Sequence, residues 1–546
     1  MLENINSPSD LKKLNIDELP TLCSEIRSKL LSDVTTYGGH LSSNLGAVEL
    51  TVAIHYVYDD EDKIVWDVGH QSYVHKLITG RYSSFDTLRQ KNGISGFPDT
   101  LESKYDCFDT GHASTSISAA LGIATARDLQ GDDYNVIAVV GDGALTGGMT
   151  YEALNNINNR RLLVVLNDNK MSIDRNVGTA TKNLSKIRVG KYDKRKEKIK
   201  KAILHIPLVG KGIYNILRKI KRHTKLRLLH NLYFDNFKIK YVGPLDGNDV
   251  KELVYYFSQI KLNVTKPTVV HLLTKKGKGY VEAEENPSKY HGIASENAVL
   301  SNTITDIVSQ TLCEIAEKDN KVVAVTAAMT AGTGLSEFAI KYPERFFDVG
   351  IAEEHAVTFC AGLASSGMKP YFCVYSTFLQ RGFDQILHDV ALQKLHVVFC
   401  IDHAGFVGSD GKTHQGLFDL SYLTLIPNIT VLTPATTRQL KEMLLWSSEQ
   451  NGAIAIRYPK SIDVDYELPF CQKWNIVEEH NGRVKLLCVG NNFLSIAYDI
   501  SNALRQMGIT SDIICVTSVK PLDETYLNSV SNCLVVTLEE NTIFDG

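Results

Sequence analysis

The fold of this chain can be inferred from residues 136–148, which read VIAVVGDGALTGG. The apolar run from Val136 to Val140 predicts a buried strand, and Gly-Asp-Gly follows it directly. A stretch with helical spacing, YEALNNINN, comes next, and a second apolar run extends from Leu162 to Leu166. This order predicts a βαβ crossover, in which both strands end at the same edge of a parallel sheet. Ligands of such sheets bind at that edge.

Similar apolar runs alternate with helical patterns along most of the chain, which predicts an α/β fold with mostly parallel, doubly wound sheets. A polar stretch near residue 300 and a turn-rich stretch near Pro469 predict three consecutive domains, 1–300, 301–468 and 469–546. We expect the third domain to be C-terminally truncated, because only three strands are predicted in it. The later predicted strands are Val322 to Val325, Tyr371 to Val374, Val397 to Ile401, Thr430 to Leu432, Ala453 to Ile456, Leu486 to Val489, Ile513 to Val516 and Leu534 to Leu538.

The composition is that of a globular protein, with 44% hydrophobic and 22% charged residues among 546. The 58 basic and 62 acidic residues give a net charge of −4, so no overall field indicates a nucleic-acid or membrane partner. No apolar run reaches the ~18 residues that a membrane span needs. The ten cysteines form no C-x-x-C pair, and the N-terminus lacks a secretory pattern. We therefore expect a cytoplasmic protein with reduced thiols.

One basic segment departs from this balance. Residues 186–227 contain 16 Lys or Arg and two acidic residues, inside a predicted helical insertion in the first domain at about 182–232. The segment is either a surface for nucleic acid or anionic membrane, or a solvated helical excursion. We favour the excursion because only two aromatic residues, Tyr192 and Tyr214, are available for base stacking.

The Gly-Asp-Gly stretch indicates a phosphate and metal site. Gly141 and Gly143 allow the backbone to approach a phosphate, and Asp142 supplies a hard carboxylate oxygen. Asn169 stands 27 positions after Asp142, and the backbone carbonyl of Met171 can add another oxygen. Such oxygens, with those of a diphosphate, suit octahedral Mg²⁺. A dinucleotide site is disfavoured because the sixth position of a G-x-G-x-x-G pattern holds threonine.

The spacing of Gly-Asp-Gly and asparagine resembles the thiamine diphosphate motif, and other segments extend the resemblance to the 1-deoxy-D-xylulose 5-phosphate synthase family. Ordinary transketolases share the Gly-Asp-Gly pattern but lack the segment at residues 38–51. The segments include GGHLSSNLGAVELT (38–51), WDVGHQSYVHKLITGR (66–81), TGHASTSISAALG (110–122), TKKGKGY (274–280), DVGIAEEHAVT (348–358) and SDGKTHQGLFDLSYL (409–423).

This resemblance implies a transketolase-like fold, thiamine diphosphate and Mg²⁺ as cofactors, and a homodimer. It implies a transferase that condenses pyruvate with D-glyceraldehyde 3-phosphate to give 1-deoxy-D-xylulose 5-phosphate and CO₂. That reaction would be the first step of non-mevalonate isoprenoid synthesis and would also feed thiamine and pyridoxal synthesis. Neither nucleic acid nor membrane is implied as a partner.

The resemblance also implies roles for individual residues. The implied catalytic residues are Glu353, His40 and His414. The implied cofactor-binding residues are His70, Gly111, His112, Ala113, Gly143, Ala144, Asn169, Tyr280, Glu353 and Phe378, with Asp142, Asn169 and Met171 as metal ligands. The implied substrate-binding residues are His40, His291, Tyr375, Arg381, His403, Asp410, His414 and Arg457.

Glu353 has the central implied role. It would hydrogen-bond N1′ of the cofactor's aminopyrimidine in a dry site, where burial raises the pKa of a carboxyl group. The adjacent Glu354 is interpreted as a bystander. Without the resemblance, a glutamate at a helix start is more often a cap than a catalyst.

Three positions depart from the family pattern. His403 replaces the usual phosphate-binding arginine, Ala113 replaces the usual serine, and Thr330 replaces the usual proline. Histidine is only partly charged at neutral pH, so the first change predicts weaker or more pH-dependent acceptor binding. We expect that the other two changes do not abolish function.

Two alternatives remain open at this point. A transketolase or a 2-oxo acid dehydrogenase E1 subunit would use the same cofactor on another substrate. A nucleic-acid-binding protein could instead use residues 186–227 on an inactive enzyme scaffold, although Asp142, Asn169 and Glu353 speak against inactivity.

Overall fold

The computed structural model describes residues 1–169, 171, 232–263, 265–293, 303–408, 411–462, 466–471 and 473–542. The chain divides into two compact units, Met1–Ala298 and Val299–Gly546. The basic segment 186–227 and the predicted substrate residue Asp410 lie outside the described residues. No helix in the described ranges combines the length and the apolar character that crossing a bilayer requires.

The first unit contains a five-stranded parallel sheet of order β1-β2-β3-β5-β4. Its strands are Lys63–Trp66 (β1), Val136–Gly141 (β2), Leu163–Asp168 (β3), Lys240–Asp246 (β4) and Thr268–Leu273 (β5). The described α-helices are Pro8–Leu11, Leu19–Tyr37, Ser42–Gly46, Val48–Val57, Tyr73–Ile78, Ser116–Gln130, Gly148–Asn156, Leu232–Asp235, Val250–Asn263 and Val281–Glu285. Shorter 3₁₀ turns span Leu2–Asn4, Tyr82–Thr87 and Gly143–Thr146.

The predicted βαβ crossover is confirmed by β2 and β3. The two strands pair in parallel, with Val139 opposite Val165, and Gly148–Asn156 is the helix between them. Both strands are almost completely buried, which explains why they read as continuous apolar runs rather than alternating ones.

The second unit contains two sheets. A seven-stranded sheet has the order β15-β10-β11-β9-β8-β6-β7, and a four-stranded sheet has the order β12-β14-β13-β16. The strands are Val322–Thr326 (β6), Phe346–Asp348 (β7), Lys369–Tyr375 (β8), Val398–Asp402 (β9), Ile429–Leu432 (β10), Ala453–Arg457 (β11), Asn475–Glu478 (β12), Val484–Val489 (β13), Ser511–Val516 (β14), Ser518–Lys520 (β15) and Leu534–Leu538 (β16). All the later strands predicted from apolar runs are present, and the α/β class is confirmed.

Helices flank these sheets in the second unit. The described α-helices are Thr303–Lys318, Ser336–Lys341, Glu353–Ser365, Ser376–Leu379, Phe383–Gln385, Asp419–Leu425, Thr437–Ser447, Asn492–Gln506 and Glu524–Ser529. Short 3₁₀ turns span Pro343–Arg345 and Gln380–Gly382, and a π-helix spans Ile386–Ala391. Within the described residues, only β15 and β12 pair antiparallel to a neighbour, at one edge of each sheet.

The two sheets of the second unit share one hydrophobic core. Leu487 and Ile514, on the four-stranded sheet, belong to the same buried cluster as Phe399, on the seven-stranded sheet. The short strand β15 then leaves β14 and pairs with β10. The proposed division of this region at residues 468 and 469 stays a prediction, because both sheets lie in one compact unit.

We expect Ile514→Ala to lower the free energy of unfolding of the second unit by about 2–5 kcal/mol, because the change leaves a cavity in the shared core. Ile514 is completely buried, whereas Ile509 is 39% exposed and provides the matched control. Urea unfolding followed by the fluorescence of Trp474, a member of the same cluster, measures the effect. Equal losses from Ile514→Ala and Ile509→Ala would contradict a shared core.

Candidate active site

The carboxyl edge of the first sheet collects most of the residues predicted for that unit. Asp67 to His70 follow β1, Asp142 follows β2, Asn169 follows β3 and Lys276 lies shortly after β5. Because these strands are parallel neighbours, their ends lie at one edge.

Three predicted histidines form a cluster. The ring of His40 lies 5.2 Å from that of His70 and 5.3 Å from that of His291, and the rings of His70 and His291 are 5.2 Å apart, centroid to centroid. The Ser43 hydroxyl lies 3.2 Å from Nε2 of His70 and 3.4 Å from Nδ1 of His291. The structure therefore brings together residues that are far apart in the sequence.

Asn44 fixes the backbone of this cluster. Its Nδ2 donates hydrogen bonds to the carbonyl oxygens of His40, at 2.6 Å, and His70, at 2.8 Å. Its Oδ1 accepts a hydrogen bond from the backbone N–H of Tyr73 at 2.9 Å. The Tyr73 hydroxyl in turn accepts from the backbone N–H of His40 at 3.2 Å. Since Asn44 is completely buried, this arrangement cannot be exchanged for water without a cost.

His291 is kept neutral by its surroundings. Burial lowers its pKa well below the usual value, and electrostatic interactions with Lys276 and His70 lower it further. Lys276 is itself only 5% exposed. A neutral imidazole can accept or donate a hydrogen bond to a substrate oxygen without carrying charge into the site.

Two loops at this edge are tied to each other through Asp67 and Ser114. The buried Asp67 carboxylate accepts hydrogen bonds from the backbone N–H groups of Ser114, at 2.8 Å, and Ser116, at 3.1 Å. The Ser114 hydroxyl donates to the carbonyl oxygen of Ala144 at 2.8 Å. The predicted cofactor residues 111–113 are thus held against the Gly-Asp-Gly loop.

The predicted metal ligands also lie at this edge. The backbone N–H of Asp142 donates to the carbonyl oxygen of Asn167, next to the neighbouring strand end, at 3.2 Å. Oδ1 of Asn169 accepts from the backbone N–H of Met171 at 3.1 Å, which orders the turn that carries the Met171 carbonyl. A Cβ built on Gly141 would meet no atom of the described residues within 4 Å, so space exists beside this loop. Hard oxygen donors next to an open glycine turn fit a metal–diphosphate group.

Glu353 stands out among the described carboxylates of the second unit. It begins the helix Glu353–Ser365, is only 2% exposed, and its Oε2 has no hydrogen-bond partner among the described residues. Burial raises its pKa from 4.5 to about 7, although the Arg381 guanidinium acts in the opposite direction. The Arg381 nitrogen lies 3.6 Å from Oε2, too far for a hydrogen bond. A buried carboxyl group with one oxygen that accepts no hydrogen bond and a pKa near neutrality fits the ring nitrogen of an aminopyrimidine.

Aromatic rings line the carboxyl edge of the seven-stranded sheet. Tyr375, at the end of β8, stacks on His403, just after β9, with ring centroids 3.9 Å apart, and on Phe378 at 6.0 Å. Phe378 meets His414 edge to face at 5.5 Å. Nδ1 and the backbone nitrogen of His403 lie 3.0 and 2.6 Å from the buried Asp402 carboxylate. The ring of His403 is therefore held between Tyr375 and Asp402.

Arg457 is buried and is paired with an aspartate of the same unit. Its Nε lies 2.8 and 2.9 Å from the two Asp419 oxygens, and both side chains are buried. The Ser376 hydroxyl also donates to Asp419, at 2.9 Å. The predicted role of Arg457 in substrate binding stays a prediction.

The remaining predicted residues of the first unit differ in their exposure. Tyr280 precedes the helix Val281–Glu285 and meets Tyr290 edge to face at 5.5 Å. His112 is half-buried, while Ala113 and Ala144 are buried. The residues that the sequence did not single out are Ser43, Asn44, Asp67 and Lys276.

We expect the raised pKa of Glu353 to appear in the pH dependence of stability. Between about pH 4.5 and pH 7 the folded protein holds a proton on Glu353 that the unfolded chain releases, so rising pH destabilises the fold. Relative to Glu353→Gln, wild type should lose about 3 kcal/mol of unfolding free energy across this window. Urea titrations at several pH values measure the difference, and Glu354→Gln should follow wild type. A difference that does not change with pH would contradict this assignment.

Comparison with known proteins identifies the family. Residues 2–274 match the family described as 1-deoxy-D-xylulose-5-phosphate synthase, and residues 301–462 match the transketolase pyrimidine binding domain. The chain is 48% identical over 563 residues to the 1-deoxy-D-xylulose-5-phosphate synthase of Clostridium kluyveri, covering 100% of this chain and 90% of that one. The corresponding figures for Dictyoglomus thermophilum are 49% over 561 residues, 100% and 90%.

A solved transketolase from Campylobacter jejuni is 16% identical over 96% of this chain and 92% of its own, with a TM-score of 0.40. This likeness is too weak to carry an argument, whereas the full-length sequence identity is decisive. The expected transketolase-like α/β fold and transferase class are confirmed by the family matches. The chain belongs to the 1-deoxy-D-xylulose-5-phosphate synthase family of thiamine diphosphate-dependent, transketolase-type enzymes of isoprenoid synthesis.

Proposed function

We propose that this protein condenses pyruvate with D-glyceraldehyde 3-phosphate to give 1-deoxy-D-xylulose 5-phosphate and CO₂. The observation that carries the proposal is Glu353, a buried carboxyl group with an unpartnered oxygen and a pKa raised to about 7. The names of the full-length relatives supply the product.

Thiamine diphosphate, when bound, supplies a nucleophilic carbon and an electron sink for loss of CO₂. Glu353 would share a proton with N1′ of the aminopyrimidine, because a carboxyl group that titrates near neutrality can hold or release that proton at little cost. Phe378 would pack against the cofactor from the aromatic group that also contains Tyr375. The dry surroundings of Glu353 keep water from competing for the proton.

The carboxyl edge of the first sheet would hold the diphosphate end. Asp142, Asn169 and the backbone carbonyl of Met171 would hold Mg²⁺, whose remaining positions suit phosphate oxygens and water. Backbone groups near Gly143 and Ala144 would approach the diphosphate. The other residues proposed to contact the cofactor are His70, Gly111, His112, Ala113 and Tyr280.

The histidines and cations would orient the two substrates. His40 and His291 would hydrogen-bond the oxygens of the keto acid. Because its pKa is lowered, His291 is neutral, so it would bind these oxygens without holding the anionic substrate through a full positive charge. His414 would face the same substrate. Tyr375, Arg381, His403 and Arg457 would bind the acceptor and its phosphate, together with Asp410, which lies outside the described residues.

The family relationship supports the wider parts of the proposal. A homodimer in the cytoplasm would supply isoprenoid synthesis, and the same product would feed thiamine and pyridoxal synthesis. A transketolase or E1-type activity would need a ketose donor or a lipoyl acceptor instead. The alternative of nucleic-acid binding rests on residues 186–227, which lie outside the described residues.

We expect Glu353→Gln to lower synthase turnover by at least about 100-fold, because the amide cannot exchange a proton with the cofactor. Glu354→Gln is the matched control, since it removes a carboxylate one position along the same helix, and it should retain activity. The measurement is CO₂ release from pyruvate with and without D-glyceraldehyde 3-phosphate in the presence of Mg²⁺. Retained turnover in Glu353→Gln, or turnover that needs a ketose donor, would overturn the assignment.

We expect His403→Arg to lower the KM for D-glyceraldehyde 3-phosphate. A guanidinium is always charged and can bind a phosphate through two parallel hydrogen bonds, which an imidazole cannot do. The measurement is the KM of both proteins for the acceptor, with the KM for pyruvate as the internal control. An unchanged acceptor KM would contradict a phosphate role for position 403.

A further inference from the structure

A buried network of charged side chains in the first unit has no role in the function described so far. His75, Lys76, Arg81 and Asp106 are each at most 6% exposed. Lys76 donates to the half-buried Glu102, whose carboxylate also lies 3.7 Å from Arg81. The network therefore contains two cations and two carboxylates around His75, whose Nδ1 also lies 2.8 Å from Nε2 of the buried His55.

Asp106 is the hub of this network. Its carboxylate accepts hydrogen bonds from Nε2 of His75 at 2.7 Å, and from the two terminal nitrogens of Arg81 at 2.6 and 3.0 Å. Burial alone would raise the pKa of Asp106, but the His75 hydrogen bond and the Arg81 guanidinium lower it well below its usual value. The carboxylate is therefore charged at any pH at which the protein works, and it orients every donor around it.

One further donor connects Asp106 to the histidine cluster. The backbone N–H of Asp99 donates to Oδ2 of Asp106 at 3.0 Å, which fixes the segment Gly93–Asp99. Pro98 in this segment packs against Gly69, since a Cβ built there would lie 2.3 Å from Cδ of Pro98. Gly69 immediately precedes His70, so the segment supports the turn that carries this histidine.

The same segment also touches His40 directly. The ring of Phe97 meets the ring of His40 edge to face, with centroids 5.9 Å apart, and Phe97 is only 5% exposed. Hydrogen bonds from Asn44 fix the backbone carbonyl oxygen of His40 but not its ring. Phe97 thus limits where the imidazole of His40 can rotate.

A purely stabilising role explains this network poorly. Burying charged groups requires their removal from water, and apolar side chains of similar volume often stabilise a protein as well or better. What apolar side chains could not do is hold the Asp99 amide and, through it, the position of Pro98 and Phe97. The directional hydrogen bonds of a carboxylate can do so.

We propose that Asp106, held by Arg81 and His75, is a positioning residue that fixes the segment Gly93–Asp99 and thereby the rings of His40 and His70. The inference rests on the proposed function, in which these two histidines contact substrate and cofactor. It adds a set of residues that touch neither and act through Phe97 and Pro98.

Two variants and one control test this proposal in the full chain. Asp106→Asn replaces a carboxylate oxygen, which accepts hydrogen bonds, by an NH₂ group that cannot accept them from His75, Arg81 or the Asp99 amide. Phe97→Leu removes the ring contact with His40 and leaves the charged network unchanged. The control is Asp512→Asn in the second unit, where a buried aspartate pairs with Lys485 and accepts two backbone N–H groups at 2.8 and 3.0 Å. It matches the chemistry of Asp106 without a link to these histidines.

We expect kcat to fall by about 10- to 100-fold in Asp106→Asn and Phe97→Leu, the size expected when a catalytic group moves by about 1 Å. The KM for pyruvate should change by less than about threefold, and Asp512→Asn should keep wild-type kcat. Hydrogen exchange of the Asp99 amide should be at least about tenfold faster in Asp106→Asn and unchanged in the other two proteins. Imidazole NMR signals of His40 should shift in the first two proteins only.

Three results would overturn the proposal. One is a wild-type kcat in Asp106→Asn with a fast-exchanging Asp99 amide; the second is a low kcat with an unchanged amide; the third is an equal loss in Asp512→Asn. If Asp106→Asn does not fold, unchanged His40 signals in Phe97→Leu would overturn it. An inactive wild-type protein would refute the proposed function instead, and hydrogen exchange and His40 signals would still decide the positioning role.

Discussion

Parallel pairing of neighbouring strands forces the residues that follow them to one edge of the sheet. In the first unit this constraint brings His70, Asp142 and Asn169 to the same side, although they come from different parts of the chain. In the second unit it does the same for Glu353 and His403, which follow β7 and β9. The chemistry of each unit therefore depends on strand order and not on the local structure of any single loop.

Loops at such an edge lack regular hydrogen bonding, and buried polar side chains replace it. Asn44 binds backbone carbonyl groups of two separate segments in the first unit, and the Asp67 carboxylate binds the backbone N–H groups of Ser114 and Ser116 in a distant loop. Asp348 does the same in the second unit, where it accepts from the backbone N–H groups of Ala328 and Gly350, both at 2.9 Å. The Thr330 hydroxyl also donates to Asp348, at 3.1 Å. One carboxylate thus joins the loops that follow β6 and β7.

The sequence predicts those parts of the molecule that depend on local patterns. The apolar runs of β2 and β3 are sufficient to predict the parallel crossover between them, which the structure confirms. Short strands without an apolar run, such as Ser518–Lys520, were missed because they exist only through pairing with β10. Asn44 and Asp106 were missed for a related reason: their function lies in contacts with distant segments, and a polar residue in a sequence carries no sign of burial.

Glu353 shows how competing interactions decide the state of one carboxyl group. A helix start and the Arg381 cation both favour its charged form, and on an exposed helix they would lower its pKa. Burial acts in the opposite direction and is larger, because Arg381 stays 3.6 Å away and donates no hydrogen bond to Oε2. A closer arginine would satisfy the carboxylate and remove its ability to share a proton. The distance between these two side chains therefore separates an ordinary buried ion pair from a carboxyl group that can serve as an acid or a base.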